Sequence, residues 1–217
     1  MKPYYNHKGI QIYHGDCRDI LPQLEPVDLV LTDPPYGIDY NPSWKKWDGT
    51  ESNWEKIKGD NDKFNPVFLF NKAEKLILFG AEHYADLLPI GGWIIWDKRV
   101  DAKNDKMFGN AFEMAWINRD GYKKIIRIKS GGVVNPDSEH GNNEKRFHPT
   151  QKPLDLFRQL IEEHTTQQES ILDAYLGSGT TLVAAKQLGR KAIGIEIEEK
   201  YCEIAARRLS QEMLPFA

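Results

Sequence analysis

The chain has 217 residues, 40% hydrophobic and 28% charged, a composition that fits one soluble globular domain and excludes a disordered or fibrous chain. Two cysteines, Cys17 and Cys202, exclude a disulfide framework and a four-ligand zinc site, and no apolar run approaches the roughly 18 residues of a membrane span. The net charge of −3, from 29 Lys and Arg against 32 Asp and Glu, does not by itself point to nucleic acid.

The start, Met1-Lys2-Pro3-Tyr4-Tyr5-Asn6, lacks the pattern of a signal peptide, so the expected location is the reducing cytoplasm. Alternation over Ile10-Gln11-Ile12-Tyr13 predicts a strand, and the apolar run at 27–32 predicts a buried one. Similar short runs follow at 75–79, 93–96, 171–173 and 192–196. Residues 113–118 and 122–129 flank Arg119-Asp120-Gly121 and read as a β-hairpin. Helical spacing puts Leu154, Phe157, Leu160 and Ile161 on one face, with Pro153 suited to the first turn. An Ala-rich segment at 180–188 ends at Gly189, and 198–213 carries Ile204, Ala205 and Leu209 on one side; both predict helices. Strands interleaved with helices, plus one antiparallel pair, predict an α/β fold: an open, mostly parallel twisted sheet with helices on both faces, forming a single domain over 1–217.

Two stretches lack periodicity. Residues 41–62 are polar but contain Trp44, Trp47 and Trp54, and residues 130–147 are rich in Gly, Asn, Ser and charge. Long loops in a compact domain are usually functional. Between Arg119 and Lys152 eight basic residues face four acidic ones, a stretch of +4 on a body of −7. Such a segment suits a phosphate-facing surface, with a solvated lysine-rich hairpin the even alternative.

Residues 171–181, Ile-Leu-Asp-Ala-Tyr-Leu-Gly-Ser-Gly-Thr-Thr, run from strand through a glycine-rich turn into a helix. Such a turn lets backbone approach a ligand at the carboxyl edge of a parallel sheet. A dinucleotide fingerprint would need glycine where Leu182 stands, and no Gly-Lys-Ser/Thr of a P-loop follows. At the end of the next strand, about 20 residues on, Glu196 is placed to accept hydrogen bonds from ribose hydroxyls. A nucleoside cofactor is therefore expected, and no metal.

Asp33-Pro34-Pro35-Tyr36 follows the buried run at 27–32 directly, and such a tetrapeptide arises by chance on the order of once in a thousand chains of this length. A local Pro-Pro turn does not explain its place at a strand's carboxyl end, where open α/β sheets hold ligands. Two prolines stiffen the loop and remove donors, so the Asp33 carboxylate and the Pro34 carbonyl are presented as fixed acceptors. Two acceptors beside an aromatic ring suit an exocyclic amine on a flat heterocycle.

These two constellations, in this order, resemble the S-adenosylmethionine-dependent DNA amino-methyltransferases that modify adenine or cytosine. The tetrapeptide precedes the cofactor loop by about 140 residues, which resembles the circularly permuted beta class, with its Rossmann-like class I methyltransferase fold. The resemblance spans about residues 9–210. It implies catalytic roles for Asp33, Pro34, Pro35 and Tyr36. It implies cofactor contacts for Asp16, His148, Thr150, Lys152, Asp173, Tyr175, Gly177, Ser178, Gly179, Thr180, Thr181 and Glu196. Asp16 stands where the family carries an acid near the cofactor adenine, and 148–153, His-Pro-Thr-Gln-Lys-Pro, where a segment packs beside the methionine moiety. Ala174 and Tyr175 depart from the family's usual Pro and Phe.

The implied reaction uses Asp33 and the Pro34 carbonyl to hold the target amine in an sp³-like geometry for in-line transfer, by positioning and electrostatics. A base inside double-stranded DNA is flipped out and stacked, with Tyr36 as the candidate platform. Lys45, Lys46, Arg127, Lys129, Lys145 and Arg146 are the candidate DNA contacts, with 128–147 as a short target-recognition loop. Asp33 leans toward adenine, since the cytosine-N4 enzymes more often carry Ser there; cytosine-N4 methylation and a catalytically silent binding module are the alternatives. Ordinary structural roles stand beside the functional ones: Asp16 as a helix cap, His148 and Lys152 as surface groups, Glu196 paired with a surface cation. The short length also suggests a homodimer, and the family suggests a cognate restriction enzyme.

Overall fold

The computed structural model describes residues 1–43, 54–100, 110–129 and 147–210. The described strands are β1 (Tyr5–His7), β2 (Ile10–His14), β3 (Val27–Thr32), β4 (Ala73–Phe79) and β5 (Gly92–Asp97), then β6 (Phe112–Ile117), β7 (Lys123–Arg127), β8 (Ser170–Asp173) and β9 (Lys191–Glu196). The α-helices are α1 (Cys17–Ile20), α2 (Leu154–His164), α3 (Thr180–Gln187) and α4 (Glu199–Ser210), and 3₁₀ turns cover Leu21–Gln23, Pro66–Leu69 and Ala81–Leu87. One sheet runs β1-β2-β9-β8-β3-β4-β6-β5-β7. Its centre is parallel, and β1–β2, β4–β6 and β5–β6 pair antiparallel. No helix among the described residues is long and apolar enough to cross a membrane.

The nearly continuous apolar runs follow from burial on both faces. Leu29, Leu31, Ile77 and Phe79 point into a core closed by α2, α3 and α4. Their neighbours Val30, Leu76 and Leu78 point the other way, into a second core closed by α1 and the 3₁₀ turns. On the first face α2 buries Leu156, Phe157, Leu160 and Ile161, and Phe157 stacks on Phe79 at 5.6 Å. Pro153 is the N-cap of α2, one residue earlier than the first-turn position its sequence suggests.

The expected hairpin at 113–129 does not form. β6 lies between β4 and β5 and is hydrogen-bonded on both sides, so it has no free edge for β7. β7 instead pairs parallel with β5, from Trp93↔Lys123 to Asp97↔Arg127. The turn at Arg119–Tyr122 crosses the start of β5 where Gly91 and Gly92 lack side chains. A Cβ on Gly92 would meet the Tyr122 carbonyl at 2.3 Å, and one on Gly91 the Trp116 indole nitrogen at 2.2 Å. The two strands run antiparallel, as the turn chemistry requires, but straddle β5.

At the centre, β3 and β8 share only the register pairs Leu29↔Ile171 and Val30↔Leu172. Carboxylates clasp the pair at both ends. Asp28 accepts from the Ser170 amide at 2.7 Å and its hydroxyl at 2.8 Å. At the carboxyl edge Asp173 accepts from the Thr32 and Thr181 hydroxyls at 2.7 and 2.5 Å and from the Tyr175 amide at 3.1 Å. Burial raises the Asp173 pKa to about 6, with these three donors opposing the rise. A carboxyl whose pKa is raised by folding penalises the native state once it must ionise. The penalty is absent below about pH 4, grows as pH rises and is complete above about 6. Asp173→Asn, which keeps the side chain's shape, is therefore expected to flatten the fall in stability between pH 5 and 7.5. The change is on the order of 1 kcal/mol, read from denaturant midpoints at both pH values.

Candidate functional site

Because β3 and β8 are parallel neighbours, the two motifs that follow them emerge at one edge. A cavity of about 470 Å³ lies there, lined by Asp33, Pro34, Pro35 and Tyr36 from the loop after β3. His148, Thr150 and Lys152 line it from the segment before α2, and Tyr175, Gly177 and Glu196 from the ends of β8 and β9. A second cavity, about 730 Å³, adjoins it and shares Pro35, Tyr175 and Glu196, with Gly15, Asp16 and Phe64 on its far wall. A small space of about 50 Å³ reaches Asp173, Ser178, Thr180 and Thr181 beneath the glycine turn.

Asp33 is engaged at both oxygens. Tyr36 donates its hydroxyl to Oδ1 at 2.5 Å, and Lys152 donates to Oδ2 at 2.6 Å. Burial pushes the Asp33 carboxyl up; Lys152 pulls it back down, and Glu113 adds to the rise. Burial next to Asp33 holds the Tyr36 phenol well above its ordinary value. The Tyr36 ring stacks on His83 at 5.2 Å and lies against Gly80, where a Cβ would sit 1.9 Å from the ring. With φ at +65°, Gly80 is required by both its backbone and this contact.

Asp60 holds the rest of this loop. Buried at 4% exposure, it accepts from the Tyr36 and Gly37 amides at 2.8 and 2.9 Å on Oδ1, and from the Tyr40 amide at 2.7 Å on Oδ2. No motif contains it, and its position 24 residues after Tyr36 carries no signal in the sequence. Gln151 sits inside the 148–153 segment without an expected contact, yet it ties two motifs together. Its side-chain oxygen accepts from the Ser178 hydroxyl at 3.0 Å and the Phe147 amide at 3.0 Å.

The glycine turn is built for close approach. Gly177 and Gly179 have φ of +52° and +89°, and a Cβ on Gly179 would meet Ala205 of α4 at 2.7 Å. Arg208 on α4 donates to the Ser178 carbonyl at 2.7 Å. Glu196, 8% exposed, accepts from the Gly177 amide at 2.7 Å and the Glu198 amide at 2.8 Å, so it is no partner of a surface cation. Burial raises its pKa against these two donors. His148 packs edge-on against Tyr201 at 4.6 Å, and Tyr175 against Phe64 at 5.6 Å. Asp16 does cap α1: it accepts from the Arg18 amide and pairs with the Arg18 guanidinium at 2.6 Å, while still facing the second cavity.

Lys152 is not solvated. It is 6% exposed and pairs with Glu113 at 3.0 Å as well as with Asp33, and Glu113 in turn pairs with Lys98. Burial works against the charge on Glu113, but Lys152 and Lys98 outweigh it and hold the carboxyl down to about 2. Of the candidate DNA contacts, Arg127 lies on the outer strand β7, more than half exposed and 3.4 Å from Asp97, with half-buried Lys129 just beyond. Neither lines the cavities. Lys45, Lys46, Lys145 and Arg146 fall outside the described residues, as does nearly all of the 128–147 loop.

The two adjoining cavities, the glycine turn and the Glu196 carboxylate fit an elongated nucleoside ligand such as S-adenosylmethionine. Asp33 and Pro34 line the first of these cavities.

A family model described as DNA methylase matches residues 27–207. The type II methyltransferase M2.DpnII of Streptococcus pneumoniae is 29% identical, over 97% of this chain and 93% of the relative. The type II methyltransferase M.HinfI of Haemophilus influenzae is 28% identical over 97% of this chain and 71% of its own length. Among solved structures, M1.HpyAVI is 26% identical with a TM-score of 0.57, covering 94% of this chain and all of that one. The cytosine-N4-specific PvuII DNA methyltransferase, 16% identical with a TM-score of 0.65, covers 98% of this chain and 90% of its own and shares the fold.

Asp60→Ala should leave three amides of the Asp33 loop without their acceptor. Amide exchange at Tyr36, Gly37 and Tyr40 is expected to accelerate at least tenfold while β3 keeps its protection, read by hydrogen-exchange NMR. Unchanged exchange would mean that the loop is held by its prolines alone.

Proposed function

The chain belongs to the DNA methylase family of N6/N4 amino-methyltransferases, and from that membership we propose that it methylates the exocyclic amine of adenine in double-stranded DNA. The single observation that supports this most is the placement of Asp33 and Pro34 in the cavity shared with the glycine turn and Glu196. S-adenosylmethionine, the family's methyl donor, supplies an electrophilic methyl on a sulfonium sulfur. Glu196 would take the ribose hydroxyls, and Asp16 and Tyr175, which line the adjoining cavity, would hold the adenine. His148, which lies against Gly177, and the Gly177-Ser178-Gly179 turn would hold the cofactor from the same side of the cavity.

For the target, each Asp33 oxygen has about two lone-pair directions. Tyr36 and Lys152 occupy one on each, leaving acceptor capacity for an incoming amine. Hydrogen bonds from the amine to Asp33 and to the Pro34 carbonyl draw its lone pair out of conjugation and aim it. Catalysis is then positioning plus fixed electrostatics. His83 stacks on Tyr36 and Gly80 packs against its ring, so a flipped base would meet the part of the ring that lines the cavity. Flipping would cost a few kcal/mol of unstacking.

Adenine is preferred over cytosine because Asp heads the tetrapeptide. Basic residues at Arg127, Lys129, Lys145 and Arg146 would meet phosphate, together with Lys45 and Lys46. A cytoplasmic location and a cognate restriction endonuclease belong to the same proposal, the latter supported by the type II names of the relatives. A homodimer belongs to the same proposal.

Asp33→Ala is expected to abolish methyl transfer while calorimetry still shows cofactor binding. Nucleoside analysis of DNA methylated by the unaltered protein should return N6-methyladenine; N4-methylcytosine would move the assignment to the other amine. Neutralising Arg127, Lys129, Lys145 and Arg146 together should flatten the log–log salt dependence of DNA affinity by about 0.9 for each phosphate that the protein no longer neutralises. An unaltered slope would make the patch merely solvated.

A further inference from the structure

The sequence resemblance assigns Lys152 to the cofactor, yet its ammonium is engaged elsewhere. A lysine has three N–H donors. Nζ donates to Asp33 Oδ2 at 2.6 Å and lies within donating distance of Tyr36 Oη at 3.3 Å, and it forms an ion pair with Glu113 Oε2 at 3.0 Å. The side chain is 6% exposed, and Nζ lies 5.5 Å from the centre of the Phe79 ring. A buried cation this well held is matched by charge: Asp33 and Glu113 face it, and Lys98 faces Glu113 from the far side. The four groups come from the β3 loop, the start of β6, the end of β5 and the segment before α2, and Lys98 and Glu113 line the cavity as well.

We propose that Lys152 and Glu113 are positioning residues for methyl transfer: Lys152 keeps Asp33 ionised and aimed, and Glu113 supplies the counter-charge that prevents Lys152 from cancelling Asp33. The inference rests on Asp33 as the acceptor of the target amine. As methyl transfer proceeds, positive charge builds on the amine nitrogen beside Asp33. An unbalanced ammonium 2.6 Å from that carboxylate would oppose it. Glu113, on the other side of Nζ, restores the negative field. Among the described residues, other titratable groups near Asp33 include Tyr36 on its own loop, Tyr84 on the Ala81–Leu87 turn and Asp173 on β8, with Glu82, His83 and His148 lining the same cavity.

The two residues act on Asp33 with opposite sign, and that separates positioning from packing. Single-turnover methyl incorporation is followed against pH, with saturating S-adenosylmethionine and unmethylated bacterial genomic DNA. Methyl groups are counted without regard to the base that carries them, so a wrong assignment of adenine leaves the pH limb readable. Lys152→Met is expected to slow transfer about a hundredfold and to move the acid limb to higher pH, with cofactor affinity within threefold of the unaltered protein. Lys152→Arg should recover part of the rate. Glu113→Gln, nearly isosteric, should also slow transfer but move the acid limb to lower pH. A tenfold loss of cofactor affinity in Lys152→Met with the saturated rate unchanged would return Lys152 to the cofactor and overturn the proposal. Acid limbs that stay in place, or that move in the same direction in both variants, would also overturn it. If Lys152→Met fails to fold, the direction of the Glu113→Gln limb alone decides.

Discussion

A short parallel pairing between β3 and β8 fixes the site. Only two residue pairs register between them, and the contact persists because Asp28 clasps one end and Asp173 the other. Two chain segments about 140 residues apart are thereby brought to end at the same edge, side by side. A second tie runs through the 148–153 segment, where Lys152 bonds Asp33 and Gln151 accepts from Ser178. Through the Thr32 hydroxyl the last residue of β3 is bonded to the last residue of β8, so the two loops share a common base. Asp173 thus acts beneath the cavity, as the peg on which both loops hang.

Much of this is legible in the sequence because it is local. The buried strand at 27–32, the short apolar runs, α2 to α4 and the two motif loops follow from periodicity and turn chemistry within a few residues. The hairpin expected at 113–129 fails for the opposite reason. Turn residues report the direction in which the chain returns, but they do not report which strand lies between. The clue exists in Gly91-Gly92, whose missing side chains let the turn pass over β5, yet nothing near that pair in sequence says what crosses it.

The site divides in the same way. Asp33, Tyr36, Gly177 and Glu196 announce themselves by position at strand ends. Asp60 and Glu113 do not, because a single carboxylate in a loop or a strand looks like any solvated acid. What marks them is burial against specific donors: three amides for Asp60, two ammonium groups for Glu113. A buried acid must be matched by such donors or lose its charge. The matching partners lie far away in sequence, so only the folded chain shows them.

The route by which β7 reaches the sheet also has a consequence for the order in which strands separate. Among the described residues β7 is bonded on one side only, to β5, whose other side is paired with β6. Edge strands give up fewer bonds than central ones when a sheet opens, so β1 and β7 are expected to separate before the central clasp does. With five register pairs on β5 against three for β1 on β2, β7 is the better held of the two edges, and Arg127 rides at its end.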